Sequence, residues 1–429
     1  MPDTTMLTQE HAQALDAADQ LTHFRDRFTV PPGTIYLDGN SLGLLSRDAE
    51  AAVLRALEAW KRHAIDGWLS ADPPWFTLGE TLGARMAALV GARPESVVVT
   101  GTTTVNLHQL VATFYRPEGH RRKILATALD FPSDIYALQS QIRLRGGNPA
   151  EDLVQVPSRD GRTLEEDDIV AAMAEDVALV ILPSVLYRSG QRLDMERLTR
   201  EAHARGTLIG FDCAHSVGIM PHRLESWGVD VAVWCSYKYL NAGPGAVGAL
   251  YVHPRHFGTT PALAGWWGYR KDRQFAMLHE WEGATHAGAF QISTVPLLGA
   301  AALLGSLTIF EEAGIEAIRE KSLKQTRYLM DLVDASGLTD PMYGYRIGTP
   351  REPHRRGGHV AIEHDRAGHI ASALRRRGIM VDFRPPDVIR LAPSPLSTTW
   401  RELWRAVQAL REIVEAGEHV AVGSNAPVT

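Results

Sequence analysis

The chain has 429 residues, 45% hydrophobic and 22% charged, with 44 Lys and Arg against 50 Asp and Glu for a formal charge of −6. That length buries a large core and divides into more than one substructure, and mild acidity without a long basic run excludes a general nucleic-acid or membrane-surface binder. The two cysteines, Cys213 and Cys235, exclude a disulfide scaffold, and 17 scattered histidines without HExxH point away from a metal site.

The opening, MPDTTMLTQEHAQALDAADQ, is polar and acidic, unlike a signal peptide, and no apolar run has the length of a membrane span. The expected location is therefore the cytoplasm. Residues 1–55 are expected to pack with a smaller C-terminal unit. Between residues 56 and 299 short apolar runs alternate with helical lengths: SVVVT (96–100), KILAT (123–127), VALVIL (177–182), TLIGF (207–211), VDVAVW (229–234) and GALYV (248–252). Between them, DMERLTREAHAR (194–205) has the apolar spacing of an amphipathic helix. Such alternation predicts an α/β domain around a large, mostly parallel sheet covered on both faces. From about residue 300 a long helical stretch begins at AALLGSLT. The runs GHVAIEH, GIMVDF and DVIRLAP then predict a smaller α+β domain over 300–429, and the tail GSNAPVT reads as disordered.

Ligands of open α/β sheets sit beyond the carboxyl ends of the strands. The residues just after each apolar run therefore carry the chemistry. After SVVVT comes GTTTVNLH, hydroxylated residues opening a helix whose N–H groups and dipole favour an anion. After KILAT comes ALDFPSD, with Phe131 and Asp134 in one loop. After TLIGF comes DCAH, with Asp212 and His215, and after VDVAVW comes CSYKYL, with Tyr237 and Lys238. Taken singly, the threonines fit a helix N-cap, Asp212 a cap, His215 a packed surface histidine, Phe131 a core residue and Lys238 a solvated side chain. Taken together, an anion cradle, an aromatic plate, a strand-end carboxylate and a strand-end lysine are what pyridoxal phosphate requires.

The segments IYLDGNSLG (35–43), TTTVNLH (102–108), DFPSD (130–134), FDCAHSVG (211–218), WCSYKYLNAGPG (234–245), LAGWWG (263–268) and VIRLAP (388–393) together resemble the kynureninase family. These are fold-type-I pyridoxal-phosphate enzymes of the aspartate aminotransferase class, with a seven-stranded sheet in the large domain. The resemblance runs in order along nearly the whole chain. It implies that Lys238 holds the cofactor as a Schiff base, that Asp212 partners the pyridine nitrogen with His215 close by, and that Tyr237 bonds the phosphate and passes a proton to the product carbanion. It further implies that Phe131 stacks on the ring, that Ser133 and Asp134 contact the cofactor, and that Thr103 and Thr104 bind phosphate. Trp266 and Thr294, in QIST (291–294), reach the phosphate or substrate from the neighbouring subunit of a homodimer, and Arg390 takes the substrate α-carboxylate. The reaction implied is hydrolysis of the Cβ–Cγ bond of L-kynurenine to anthranilate and L-alanine. Trp68 and Thr294, standing where enzymes selective for 3-hydroxykynurenine carry His and Asn, imply a preference for kynurenine itself.

Three rival readings start from the same residues. A cysteine desulfurase needs a mobile nucleophilic cysteine, and Cys213 and Cys235 flank strand ends instead; a transaminase on another amino acid is the neighbouring option. A non-catalytic scaffold of the same fold would have no use for an intact set of Tyr237, Lys238, Asp212 and Arg390. A nicotinamide-binding protein lacks its GxGxxG after the first strand, since GPGAVG precedes a strand and follows the lysine.

Overall fold

The structure is a computed structural model and describes residues 7–420, so the tail GSNAPVT lies outside the described residues. After a two-residue strand, β1 (Ile35–Tyr36), come the strands of the large sheet. They are β2 (Val97–Val99), β3 (Lys123–Thr127), β4 (Leu153–Val156), β5 (Val177–Pro183), β6 (Leu208–Asp212), β7 (Val231–Cys235) and β8 (Gly248–Val252). Their order is β2-β8-β7-β6-β5-β3-β4, parallel except for β8, which runs antiparallel to both neighbours. Alternate side chains leave the sheet on opposite faces. Val97, Leu125, Val180 and Trp234 join one buried cluster, while Val98, Ile124, Leu179 and Val233 join another. Both faces are dry, which is why these strands read as continuous apolar runs. Only β4 (LVQV), one of the two edge strands, has an exposed residue, Gln155, and the sequence reading did not find it.

The helix Met195–Ala204 forms where its periodicity predicts, with Asp194 accepting the Arg197 N–H at 3.0 Å as its N-cap. The long helical stretch is two helices, Leu297–Ala313 and Ile315–Ala335, bent by 80°. Gly314 makes the break, at φ +74°, a conformation open to glycine and costly for other residues. No single helix among the described residues is long and apolar enough to cross a membrane.

A second sheet, β12-β13-β10-β9, is antiparallel and built from β9 (Arg346–Ile347), β10 (Val360–Glu363), β12 (Asp382–Arg384) and β13 (Val388–Leu391). Between β10 and β12, the short β11 (Ile379–Met380) pairs in parallel with β1. A separate apolar cluster fills this part, including Leu329, Val333, Ile362, Leu374, Ile389 and Leu403. The N-terminal segment serves both cores. Ala12 and Leu37 enter the small cluster, whereas Leu21, Phe24 and Phe28 enter the large one. The helix Leu297–Ala313, beyond the expected division at residue 300, also packs in the large cluster through Leu303, Leu307 and Phe310. Its Gly305 lies on the helix Arg47–His63, so closely that a Cβ would stand 2.0 Å from the Asp48 carbonyl oxygen. The chain crosses from one core to the other along Ile315–Ala335, with Ile318 in the first and Leu329 in the second.

Candidate active site

Side chains converge where β2, β3, β6 and β7 end. Past β2, Gly101 turns at φ +51°, and Asn106 Nδ2 ties the turn to the Thr100 carbonyl at 2.8 Å. The helix Thr103–Phe114 starts there, yet Thr102 at its N-cap makes no side-chain capping bond. The first-turn N–H groups thus face the crevice with the positive end of the dipole, a cradle for an anion. Thr104 Oγ1 lies 2.7 Å from Ser133 Oγ, joining this helix start to the loop after β3.

That loop presents Phe131 as the N-cap residue of Pro132–Leu144, with 40% of the residue exposed, and the Lys238 Nζ stands 6.0 Å from its ring centroid. Asp134 is buried beside Asp212, and Asp130 lies behind them. Burial raises all three carboxyls above the ordinary range, Asp130 to about 7, and the charge of Asp212 raises Asp134 and Asp130 further. Asp212 opens partly to the crevice and accepts the Ala214 N–H at 2.8 Å. The Lys238 ammonium favours the charged form of both Asp212 and Asp134. A crowded carboxyl pair of this kind is suited to a second cation held against it.

Lys238 follows β7 in a tight loop, with Asn241 in the left-handed region at φ +56° and its N–H on the Lys238 carbonyl at 2.9 Å. Lys238 Nζ is 3.0 Å from His215 Nε2. Burial, then the Lys238 and Arg390 charges, hold His215 neutral, well below the ordinary imidazole value. Tyr237 is half-buried, and burial keeps its phenol protonated. The LDGNSLG segment lies directly on this loop. Gly43 donates to the Tyr237 carbonyl at 2.7 Å, and a Cβ on Gly43 would come within 2.5 Å of the Lys238 carbonyl oxygen. Two signatures far apart in sequence are thus one contact, and glycine is required there by the close approach.

Arg390 reaches the crevice from β13 and is almost fully buried. Its Nε donates to Asp382, its Nη1 to the Tyr187 carbonyl at 2.7 Å, and its Nη2 to Ser41 Oγ at 3.0 Å. Tyr187 in turn sets its ring edge-on to Phe131, with centroids 5.3 Å apart. Sequence reasoning found Arg390 but missed Ser41, Tyr187 and Asp382. Ser41 stood inside the quoted LDGNSLG run, and Asp382 lies opposite Arg390 in the antiparallel register of β12 and β13.

The structure gathers Thr104, Phe131, Ser133, Asp134, Asp212, His215, Tyr237, Lys238 and Arg390 around this crevice, with Thr103 opening the helix beside it. It does not bring Trp68, Trp266 and Thr294 there. Trp68 packs on Trp75 and Trp267, at 5.8 and 5.3 Å between centroids. Trp266 neighbours Trp267 and is half exposed, and its loop lies on the segment of Thr294, where a Cβ on Gly265 would collide with the Ile292 carbonyl. Thr294 is exposed. Among the described residues, no hydrogen bond or ring contact ties these three to Lys238 or its neighbours. They form a second, outward-facing group.

Comparison with known proteins bears on the whole chain. Over 412 residues, covering 96% of each chain, it is 56% identical to the kynureninase of Geobacillus thermodenitrificans strain NG80-2. The chain belongs to the kynureninase family. The kynureninase of Bacillus anthracis is 55% identical over 412 residues, again 96% of each chain, and the family model for the kynureninase C-terminal domain matches residues 318–410. Members of the family are pyridoxal-phosphate-dependent hydrolases of carbon–carbon bonds, and this chain shares that class and that cofactor. Among solved structures, a cysteine desulfurase from Thermococcus onnurineus NA1 superposes with a TM-score of 0.77 at 19% identity, covering 92% of this chain and 98% of that one. A C-DES mutant with glycine covalently linked to its PLP cofactor gives 0.76 at 19% identity, covering 90% and 98%. These two share the fold, fold type I. The residues present fit the cofactor. The uncapped helix start suits its phosphate, Phe131 its ring face, the Asp212–Asp134 pair its ring nitrogen and Lys238 its aldehyde.

Proposed function

We propose that the chain hydrolyses the Cβ–Cγ bond of L-kynurenine to anthranilate and L-alanine, with kynurenine preferred over its 3-hydroxy derivative. The observation that carries this reading is the Lys238–His215–Asp212 arrangement under Phe131, with a buried arginine at the same crevice. Bound pyridoxal phosphate supplies an electron sink for carbanion character at the substrate's α and β carbons. The residues do the rest. Thr103 and Thr104 hold the phosphate with the helix N-terminus, and Tyr237 adds its hydroxyl. Asp212 keeps the ring nitrogen protonated, and the uncharged His215 adds no competing cation. Arg390 orients the α-carboxylate through its charge and a hydrogen bond from Nη2. Lys238 would hold the cofactor's aldehyde and, as a free amine, would take the proton from the substrate α-carbon; water would add to the γ-carbonyl as the Cβ–Cγ bond breaks, and Tyr237 would give its proton to the alanine β-carbon.

A desulfurase reading fits less well. Cys213 and Cys235 are both buried and free, and burial raises the Cys213 thiol to about 12 and Cys235 in the same direction. Neutral, enclosed thiols are poor nucleophiles. The reading keeps two domains, a large cofactor-binding one and a smaller C-terminal one, but moves their division from residue 300 into the helix Ile315–Ala335, since Leu303, Leu307 and Phe310 pack in the large core.

The reading also includes a homodimer with shared sites. Leu263, Trp266, Phe275, Met277, Leu278 and Ile292 are all exposed around the second group, a concentration of apolar side chains that favours burial against another copy. In such a dimer Trp266 and Thr294 complete the partner's crevice. Mixing Lys238→Ala chains with Trp266→Ala,Thr294→Ala chains in equal amounts should therefore restore up to about a quarter of wild-type activity, since about half the dimers are mixed and each has one intact site. A fully active monomer at assay dilution would sink the shared site.

The substrate preference has a physical scale. A crowded apolar pocket rejects an added hydroxyl by roughly 1–3 kcal/mol, on the order of 10- to 200-fold in kcat/KM. With Trp68 and Thr294 brought by the dimer from the outward-facing group to the partner's substrate ring, kynurenine is expected to win within that range. Trp68→His with Thr294→Asn should shift the ratio toward 3-hydroxykynurenine, non-additively if both touch one ring. Specificity constants for both substrates across the four variants decide it. A wild type that prefers the hydroxylated substrate, or a double variant with an unchanged ratio, removes these residues from ring recognition.

A further inference from the structure

His359 lies immediately before β10 and is fully buried, yet neither ring nitrogen has a hydrogen-bond partner. His215 Nδ1 is orphaned in the same way. The two rings meet edge to face with centroids 6.0 Å apart. Buried polar atoms without protein partners are uncommon, and ordered water is the usual resolution. A water accepting one hydrogen bond and donating another spans about 5.5 Å between its partners, a reach that suits nitrogens on two rings so placed. We propose that His359 is a positioning residue, holding His215 through one bound water so that His215 Nε2 stays aimed at Lys238.

The direction of each hydrogen bond follows from the contact at the other end. Lys238 Nζ, 3.0 Å from His215 Nε2, is a donor, so Nε2 accepts and the ring proton belongs on Nδ1. That N–H then needs an acceptor. Burial lowers His359 to about 3, with the Arg390 charge acting in the same sense, so His359 stays neutral and keeps one lone pair. A neutral imidazole has one N–H and one bare nitrogen, and the bare nitrogen is the acceptor for the water. The register Val360↔Leu391 and Ala361↔Arg390 ties His359 to the strand that carries Arg390. One residue thereby links the orientation of His215 to the sheet that grips the substrate carboxylate.

The inference rests on the reading of Lys238 and His215 given above, and its test does not depend on turnover. In the full-length chain freed of cofactor and labelled with 15N-histidine, the His215 resonances, assigned with His215→Gln, should show a neutral ring protonated at Nδ1. His359→Gln, which keeps a donor and an acceptor, should preserve that tautomer; His359→Leu should give a mixture. In the loaded enzyme His359→Leu should lower kcat on the order of 10- to 100-fold with KM little changed, and His359→Gln should recover most of it. A wild-type His215 protonated at Nε2 overturns the proposal without any variant, as does a Leu variant with the wild-type tautomer and rate. Absence of kynurenine turnover in the wild type would overturn the functional reading instead, leaving the tautomer result to be judged by itself.

Discussion

Lys238→Ala is expected to lose kynurenine turnover by on the order of 10⁴-fold or more, because one side chain supplies both the covalent attachment and the base, and general acid–base catalysis alone contributes roughly 10²–10⁴-fold. The variant should also lose the borohydride-reducible bond to pyridoxal phosphate. Two other lysines are largely buried, and each is already committed. Lys321 pairs with Asp19 at 2.6 Å, and Lys271 donates to the Trp267 carbonyl at 2.9 Å with its ammonium 4.3 Å from the Trp267 ring centroid. Neither ammonium meets Phe131, His215 or Asp212 among the described residues. Removing the Lys238 charge also removes the group that favours the ionised forms of Asp212 and Asp134, so the carboxyl pair should hold its proton to higher pH in the variant. Reduction of the wild-type holoenzyme followed by peptide mapping checks the assignment. A reduced cofactor found on Lys271, Lys321 or any lysine other than Lys238 ends it.

The parts of this site that lie at strand ends were legible in the sequence, because a buried parallel strand is a continuous apolar run and whatever follows it emerges at one edge of the sheet. Asp212, His215, Tyr237, Lys238, Phe131 and the threonines of GTTTVNLH were placed in one crevice on that ground, and the structure brings them together. Arg390 came from the resemblance, since VIRLAP by itself is only a strand. Asp382, Ser41 and His359 were missed for a common reason. Their importance arises from pairings between distant segments: Asp382 opposite Arg390 across β12 and β13, Ser41 through the contact of LDGNSLG with the lysine loop, and His359 through its packing on His215. Nothing in the runs GHVAIEH or GIMVDF marks those residues beforehand. The break at Gly314 was hidden by the helical composition on both sides of it. Edge strand β4 escaped because partial exposure removes the apolar continuity by which the other strands were recognised.

Arg390→Lys is expected to reduce kcat/KM for kynurenine on the order of 10- to 150-fold, while an amine analogue without the α-carboxylate keeps its inhibition constant. The charge survives this change; the fork does not. A guanidinium has five N–H donors, and in this structure Asp382, the Tyr187 carbonyl and Ser41 take one each at Nε, Nη1 and Nη2. The Asn40 amide lies 3.2 Å from Nη1 and takes its second hydrogen when its own NH2 faces Asp38. Nη2 therefore keeps one hydrogen for the substrate, in a direction fixed by the four hydrogens already anchored. A lysine ammonium cannot satisfy Asp382, Tyr187 and Ser41 in that plane and still present a donor to a carboxylate. Hydrogen bonds to charged groups are worth about 1.5–3 kcal/mol, which sets the expected range. Arg390→Ala would be a poorer test, because it leaves Asp382 buried beside Arg384 without its closest partner, and breaking a buried pair costs about 3–5 kcal/mol of stability. Thermal midpoints measured beside the kinetics separate the two effects. If Arg390→Lys weakens the carboxylate-free analogue as much as it weakens kynurenine, the arginine supports the fold of the pocket and another group holds the carboxylate.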